Sequence, residues 1–181
     1  MARLPIIDRK DMNAEQARVY DAAQAAGSVV GGPYYVYIRQ PALFEAAQQM
    51  RQTLGAAPLS PRERQIVNMT IARFWGAEYP WGVQARASLN MGISRAVVDA
   101  INAGRAPDLP DARERMCYTV AREMLTNKGL SDALYRDAEK LFGQDQLIAL
   151  VATVGSFTMT CLTTATFQVA PPADIPVPLA R

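Results

Sequence analysis

Apolar residues recur along this 181-residue chain at steps of three and four, interrupted by glycine, proline and short polar runs, and that period predicts helices almost throughout. Asn13 opens the first helix, which runs to Ala26 and is closed by Gly27. Pro41 starts the next, with Leu43, Phe44, Ala47, Met50 and Leu54 on one stripe before Gly55. Ser60 and Glu63 then have the spacing of a capping box, and Pro61 stands at the first helical position. The body of that helix, Ile66 to Trp75, is almost entirely apolar, which predicts burial on all sides. The chain breaks at Gly76 and restarts, with Pro80 in the first turn of a helix that reaches Met91 and ends at Gly92.

Further on, Ser94 caps a short helix to Ala103, and Asp111 with Glu114 repeats the capping-box spacing at the head of a helix to Lys128. Ser131 opens another that finishes near Phe142, and a threonine-rich helix covers Leu147 to Phe167. The closing PPADIPVPLAR is too rich in proline to be helical. Only YYVYI, at 34–38, scores as a strand, and the three glycines and the proline just before it favour a loop or short helical turn. The expectation is therefore all-α: one domain over 1–181, a compact bundle of about eight helices. Within it, an N-terminal arm and helices occupy 1–57, a core helix pair 58–93, C-terminal helices 94–168 and the tail 169–181.

Composition narrows the function classes. Half the residues are hydrophobic and a fifth charged, as in ordinary globular proteins, and a net charge of +2 without aromatic-basic interleaving gives no support to nucleic-acid binding. From Gln146 to Ala173 there is no charge, and the length approaches a membrane span. Its six threonines and lack of basic flanks instead predict a buried core or subunit-interface helix, so no membrane partner is expected. Cys117 and Cys161 stand apart from any metal-ligand or C-x-x-C spacing and read as reduced, buried thiols; no metal site is expected. The first residues lack the apolar core of a signal peptide, and the expected location is the cytoplasm.

Against the apolar background, Gln65, Asn68 and Arg73 need partners or a ligand, because a buried polar group left unpaired costs about 1–3 kcal/mol. On the following helix, Ala77, Trp81, Gln84 and Ser88 share a face, so Gln84 should project toward Gln65 and Asn68. Backbone amides near Trp81 and Gly82 would suit a carboxylate. Arg73 and Arg86 could grip an anion through their planar forks or make salt bridges. Glu78, beside Tyr79, has two readings: an acid or base desolvated by Trp75, Tyr79 and Trp81, or a structural ion pair with Arg73 or Arg86. Tyr34, Tyr35 and Tyr37 read either as packing or as a pocket wall.

The phrase IARFWGAEYPWGVQARASLNMGIS resembles the central segment of the carboxymuconolactone decarboxylase family, which also holds the alkylhydroperoxidase D-type proteins. GGPYYVYIRQPALFEAAQQM and LIALVATVGSFTMTCLTTATFQVAPP are similar to its longer members, and the E-Y-x-W phrase at Glu78, Tyr79 and Trp81 is the most specific element. The resemblance implies an alkylhydroperoxidase D-like helical fold and self-association as a homotrimer or hexamer. Peroxidatic members carry C-x-x-C-x-x-x-H with a glutamate twelve residues earlier; here those places hold Ala77, Pro80, Gln84 and Gln65, and the chain has no histidine.

Three functional expectations follow. The first is a cofactor-free lyase acting on a small carboxylated oxo-acid or lactone, with Glu78 and Tyr79 catalytic and Gln65, Asn68, Arg73, Trp81, Gln84, Arg86 and Tyr34 holding the substrate. The second is an inactive family member that binds a small molecule or serves assembly. The third, an alkyl hydroperoxidase, would need a lone thiol without an adjacent base.

Overall fold

The computed structural model describes residues 2–180, which form an all-α bundle without strands among them. A 3₁₀ turn at Arg9–Asp11 precedes nine α-helices among the described residues: α1 Ala14–Ala25, α2 Tyr34–Tyr37, α3 Pro41–Ala56, α4 Pro61–Phe74, α5 Glu78–Asn90, α6 Arg95–Asn102, α7 Ala112–Asn127, α8 Asp132–Phe142 and α9 Gln144–Thr166. The ninth relative to expectation is α2. The β-prone YYVY residues are wound into one helical turn because Gly31, Gly32 and Pro33 supply its start, Tyr35 and Val36 donating to Gly32 and Pro33.

Local signals set the helix ends. Asn13 with Gln16 and Ser60 with Glu63 each form a reciprocal capping box, while Ser94 and Ser131 cap α6 and α8. Gly76, Gly92, Gly104 and Gly143 take the positive φ that stops a helix at low steric cost. At the end of α7 that backbone conformation falls on Lys128, at φ 63°, rather than on Gly129. The expected box at Asp111 is only half present. Asp111 accepts from Arg113 and Glu114, but the Glu114 carboxylate is drawn away to Arg62.

α4 is the axis of the fold, packed by α5, α7 and α9. Ile66, Val67, Met69, Ile71 and Ala72 are fully buried, as the apolar run predicts, but Phe74 and Trp75 at its end emerge to the surface. On α3 the expected stripe is only partly inward: Phe44 and Ala47 are buried, whereas Leu43 and Met50 face outward and Gln48 is taken in instead. The α4 and α7 N-termini are tied crosswise. Arg62 Nε meets Glu114 at 2.7 Å and Arg113 Nε meets Glu63 at 2.6 Å, both carboxylates being nearly enclosed. Arg113 also donates to Gln146 and lies over the Phe142 ring, so one guanidinium joins α4, α7, α8 and α9.

The tail is non-helical and works as a strap. Trp81 Nε1 donates to Val177 O at 2.8 Å, Asn102 holds Pro178 O and Ala180 N, and Arg86 is paired with Asp174. α9 is long and apolar enough to cross a membrane by length and composition, yet one face of it, including Leu150, Val154 and Cys161, is core.

Replacing Arg113 by Met should leave the Glu63 carboxylate enclosed with no cation, and urea unfolding should show a loss of about 2 kcal/mol or more. An unchanged midpoint would show that the crosswise pairing does not hold α4 to α7.

Candidate functional site

A cleft of about 460 Å³ opens between α3, α4, α5 and α9. α4 contributes Arg64, Gln65 and Asn68; α5 contributes Tyr79, Pro80, Val83 and Gln84; α9 contributes Thr153, Ser156, Phe157, Met159 and Thr160. Tyr34 and Tyr37 of α2 and Arg51 of α3 complete it. That size suits a small ligand, and its walls are mainly apolar and aromatic.

The two glutamines meet as their helical positions predict. Gln65 Nε2 donates to both the backbone oxygen and Oε1 of Gln84, each at 2.8 Å. Because Oε1 of Gln84 is taken by Gln65, its Nε2 is the end left for a ligand. Asn68, one helical turn beyond Gln65, also lines the cleft, and its Oδ1 is buried without a hydrogen-bond partner among the described residues. Such an orphan costs about 1–3 kcal/mol, a cost that the fully apolar neighbours on α4 do not incur.

Tyr79 stands against the Gly31-Gly32 turn. A Cβ at Gly32, whose φ is 66°, would lie 2.6 Å from Tyr79 Cε1, and one at Gly31 would lie 3.1 Å from its hydroxyl oxygen. Glycine is therefore required for the ring to sit there. Burial, and secondarily the nearby Tyr35, push the Tyr79 phenol above its ordinary range. Burial does the same to Tyr34, partly opposed by Arg51, and to Tyr37, partly opposed by its hydrogen bond with Thr163. The ionisable groups lining the cleft are thus three phenols held protonated and two guanidinium groups, Arg51 and Arg64. No carboxylate lies among the described lining residues, so the cleft favours an anion.

Several expected site residues are elsewhere. Glu78 is exposed and lines a second cleft of about 440 Å³, with Thr164, Gln168 and Pro171, on the far side of Tyr79. It is neither desolvated by the tryptophans nor among the described ion pairs of Arg73 or Arg86. Arg73 donates to Asn102 O at the end of α6, and Arg86 is committed to Asp174 in the tail, so neither grips a ligand in the cleft. Trp81 is wholly buried against the tail and does not line the cleft. The amides proposed for a carboxylate are also engaged or covered: Trp81 N donates to Ala77 O, and Ile175 packs so closely on Gly82 that a Cβ there would be 2.8 Å away.

Arg51 and Arg64 are the cations that sequence reasoning missed. Arg64 donates to Leu54 and Gly55 oxygens at the end of α3, which holds its guanidinium beside the cleft, whereas Arg51 is exposed at the mouth. The nearest sequence signal was the step of four from Ala47 to Arg51, which puts Arg51 on an inward face of α3.

Residues 41–123 match the carboxymuconolactone decarboxylase family. This family segment runs from α3 into α7 and includes Gln65, Asn68, Tyr79 and Gln84. Among curated proteins, none matches the chain by sequence. Solved structures match along nearly its whole length. An alkylhydroperoxidase AhpD core protein, an uncharacterized peroxidase-related protein from Ralstonia eutropha JMP134, has a TM-score of 0.76 at 16% identity, covering 98% of this chain and 97% of that one. An uncharacterized peroxidase-related protein from Silicibacter sp. TM1040 has 0.77 at 19%, covering 99% and 96%. A single-residue variant of the debrominase Bmp8, in complex with 2,3,4-tribromopyrrole, has 0.73 at 15%, covering 96% and 95%. At these identities the likeness shows the fold, which is alkylhydroperoxidase D-like.

Within that fold, three of the four places where the family resemblance puts a peroxidatic relay, Gln65, Pro80 and Gln84, face the cleft, and Ala77 is buried at the head of α5. The thiols lie apart from it. Cys117 and Cys161 are buried, unpaired with each other, and absent from the cleft wall. Burial pushes the Cys117 thiol up to about 12 and also raises Cys161, so neither provides a thiolate near neutrality.

Both thiols should resist alkylation by iodoacetamide at pH 8 in the folded protein and react only after unfolding, as mass spectrometry can measure. Rapid labelling of either in the native state would restore a thiol-based reading.

Proposed function

We propose that the protein binds a small carboxylate in the α3–α4–α5–α9 cleft and, as the decarboxylase branch of its family implies, acts as a cofactor-free lyase on a carboxylated oxo-acid or lactone. The observation that carries this reading is the lining itself: two guanidinium groups and neutral donors surround an apolar hollow without a carboxylate among the described residues. The small planar ring held by the debrominase of the same fold is of a size that such a hollow accommodates.

In the proposed reaction the bond between the carboxylate and its neighbouring carbon breaks. CO2 leaves, and the electron pair passes into the adjacent carbonyl to form an enolate. Tyr79 Oη and Gln84 Nε2 are the donors suited to that developing oxyanion, and the mainly apolar walls around them are the setting in which such donors count most. The proton then returns to carbon from Tyr79, and water restores the phenol. Glu78, facing the other cleft, has no part in this version.

A second reading is ligand binding without turnover. It is favoured by the hydrogen bond between Gln65 and Gln84, which replaces a proton relay with two neutral amides. Carbon dioxide release from a panel of β-oxo acids and lactone acids separates the two. Arg51→Ala should raise KM about tenfold with little change in kcat, and Tyr79→Phe should lower kcat about 100-fold. Ligand binding with no CO2 release from any member would leave only the binding role.

Self-association belongs to the same proposal. Ile148, Val151, Met159 and Leu162 form an exposed apolar stripe on α9, in a stretch with no charge, and Met159 also borders the cleft. A homotrimer or hexamer would cover this stripe. Ile148→Lys combined with Leu162→Glu should reduce the mass measured by light scattering to one protomer, and a wild-type protein already monomeric would refute it.

A further inference from the structure

Asn68 distinguishes this cleft from a general anion pocket. The polar residues around it on α4 are satisfied within the fold: Glu63 by Ser60 and Arg113, Gln65 by Gln84, and Thr70 by Ile66 O. Asn68 Oδ1 is buried with no partner among the described residues, on a residue that forms the cleft wall. One other buried amide oxygen shares that state, Gln48 Oε1, but Gln48 does not line the cleft and its nitrogen holds Val29 O at 2.6 Å. Arg51 is exposed where the cleft opens, and none of the described ion pairs includes it. The same cleft wall includes Tyr34, Tyr37, Pro80 and Phe157, whose flat surfaces suit a planar molecule.

We infer that the ligand of this cleft is a two-ended planar acid, its carboxylate at Arg51 and a neutral hydrogen-bonding group at its other end taken up by the Asn68 amide. The inference rests on the carboxylate reading given above. Rotation about the soft terminal torsion of asparagine exchanges Oδ1 and Nδ2, so Asn68 meets a ligand hydroxyl as acceptor or donor. Asn68 is thus a specificity-determining residue: it rejects an acid that is apolar at the far end, because such a ligand seals the amide in without a partner.

Calorimetric titration with 3- and 4-hydroxybenzoate, against the methylbenzoates of the same shape, tests this in the wild-type protein, Asn68→Leu and Arg51→Ala. The wild type should prefer the better hydroxy acid over its methyl counterpart about tenfold. Asn68→Leu should abolish or reverse that preference, whereas Arg51→Ala should weaken both acids alike. Equal binding of hydroxy and methyl acids to the wild type, still weakened by Arg51→Ala, overturns the role of Asn68 and leaves the carboxylate reading standing. Binding of none of the acids overturns both. The melting temperature of ligand-free Asn68→Leu gives a second measurement. It should be unchanged or raised, because an apolar residue of similar size removes an unpaired group, and a fall of more than about 5 °C would show the amide to be satisfied inside the fold and overturn the inference.

Discussion

A polar side chain on a helix surrounded by core must find a partner, and the way α4 meets that demand organises the rest of the molecule. At its head, Glu63 receives the Ser60 amide and the Arg113 guanidinium, which locks α4 to α7. Next, Gln65 reaches across to Gln84 and fixes the separation of α4 and α5. Thr70 turns back on Ile66 O, a local solution that needs no neighbour. Asn68 lies between them on the wall of the hollow, and its enclosed Oδ1 has no partner among the described residues. The cleft is therefore a gap in an otherwise satisfied polar ladder on the most buried helix of the fold.

The back of α5 shows how a site can be displaced from where motif spacing suggests. The E-Y-x-W phrase distributes its residues over three environments. Glu78 faces the second cleft, Tyr79 forms the wall between the two clefts, and Trp81 is sealed under the tail. The strap at 174–180 takes Arg86, Trp81 and, through Asn102, the neighbourhood of Arg73 into structural service. Those arginines would be effective anion ligands in isolation, but Asp174 in the tail satisfies Arg86 and the Asn102 carbonyl at the end of α6 satisfies Arg73 first. Arg51, with no such competitor among the described ion pairs, is left for the cleft mouth.

Much of the architecture was legible because its signals are local. Asn13, Ser60, Ser94, Asp111 and Ser131 mark starts through side chains that bond within three residues, and Gly76, Gly92, Gly104 and Gly143 mark stops through backbone conformation. The pairing of Gln65 with Gln84 was also legible, since two consecutive helices joined by a short corner leave few ways to face each other. The stripe on α3 was less so. Leu43 and Met50 have the right period, but which side of an amphipathic helix turns inward depends on the partners α1 and α9, which enter from distant parts of the chain.

By itself the sequence determined the helical class, nearly every helix boundary, and the convergence of Gln65, Asn68 and Gln84, because each depends on interactions spanning a few residues or one tight corner. Tertiary structure alone decided which charges reach the cleft and which face solvent or the tail. Arg86 meets a residue 88 positions away, and Arg64 meets the end of α3. No local pattern encodes such meetings, because the strength of an ion pair or hydrogen bond depends on what the folded chain brings beside it, not on spacing along the chain.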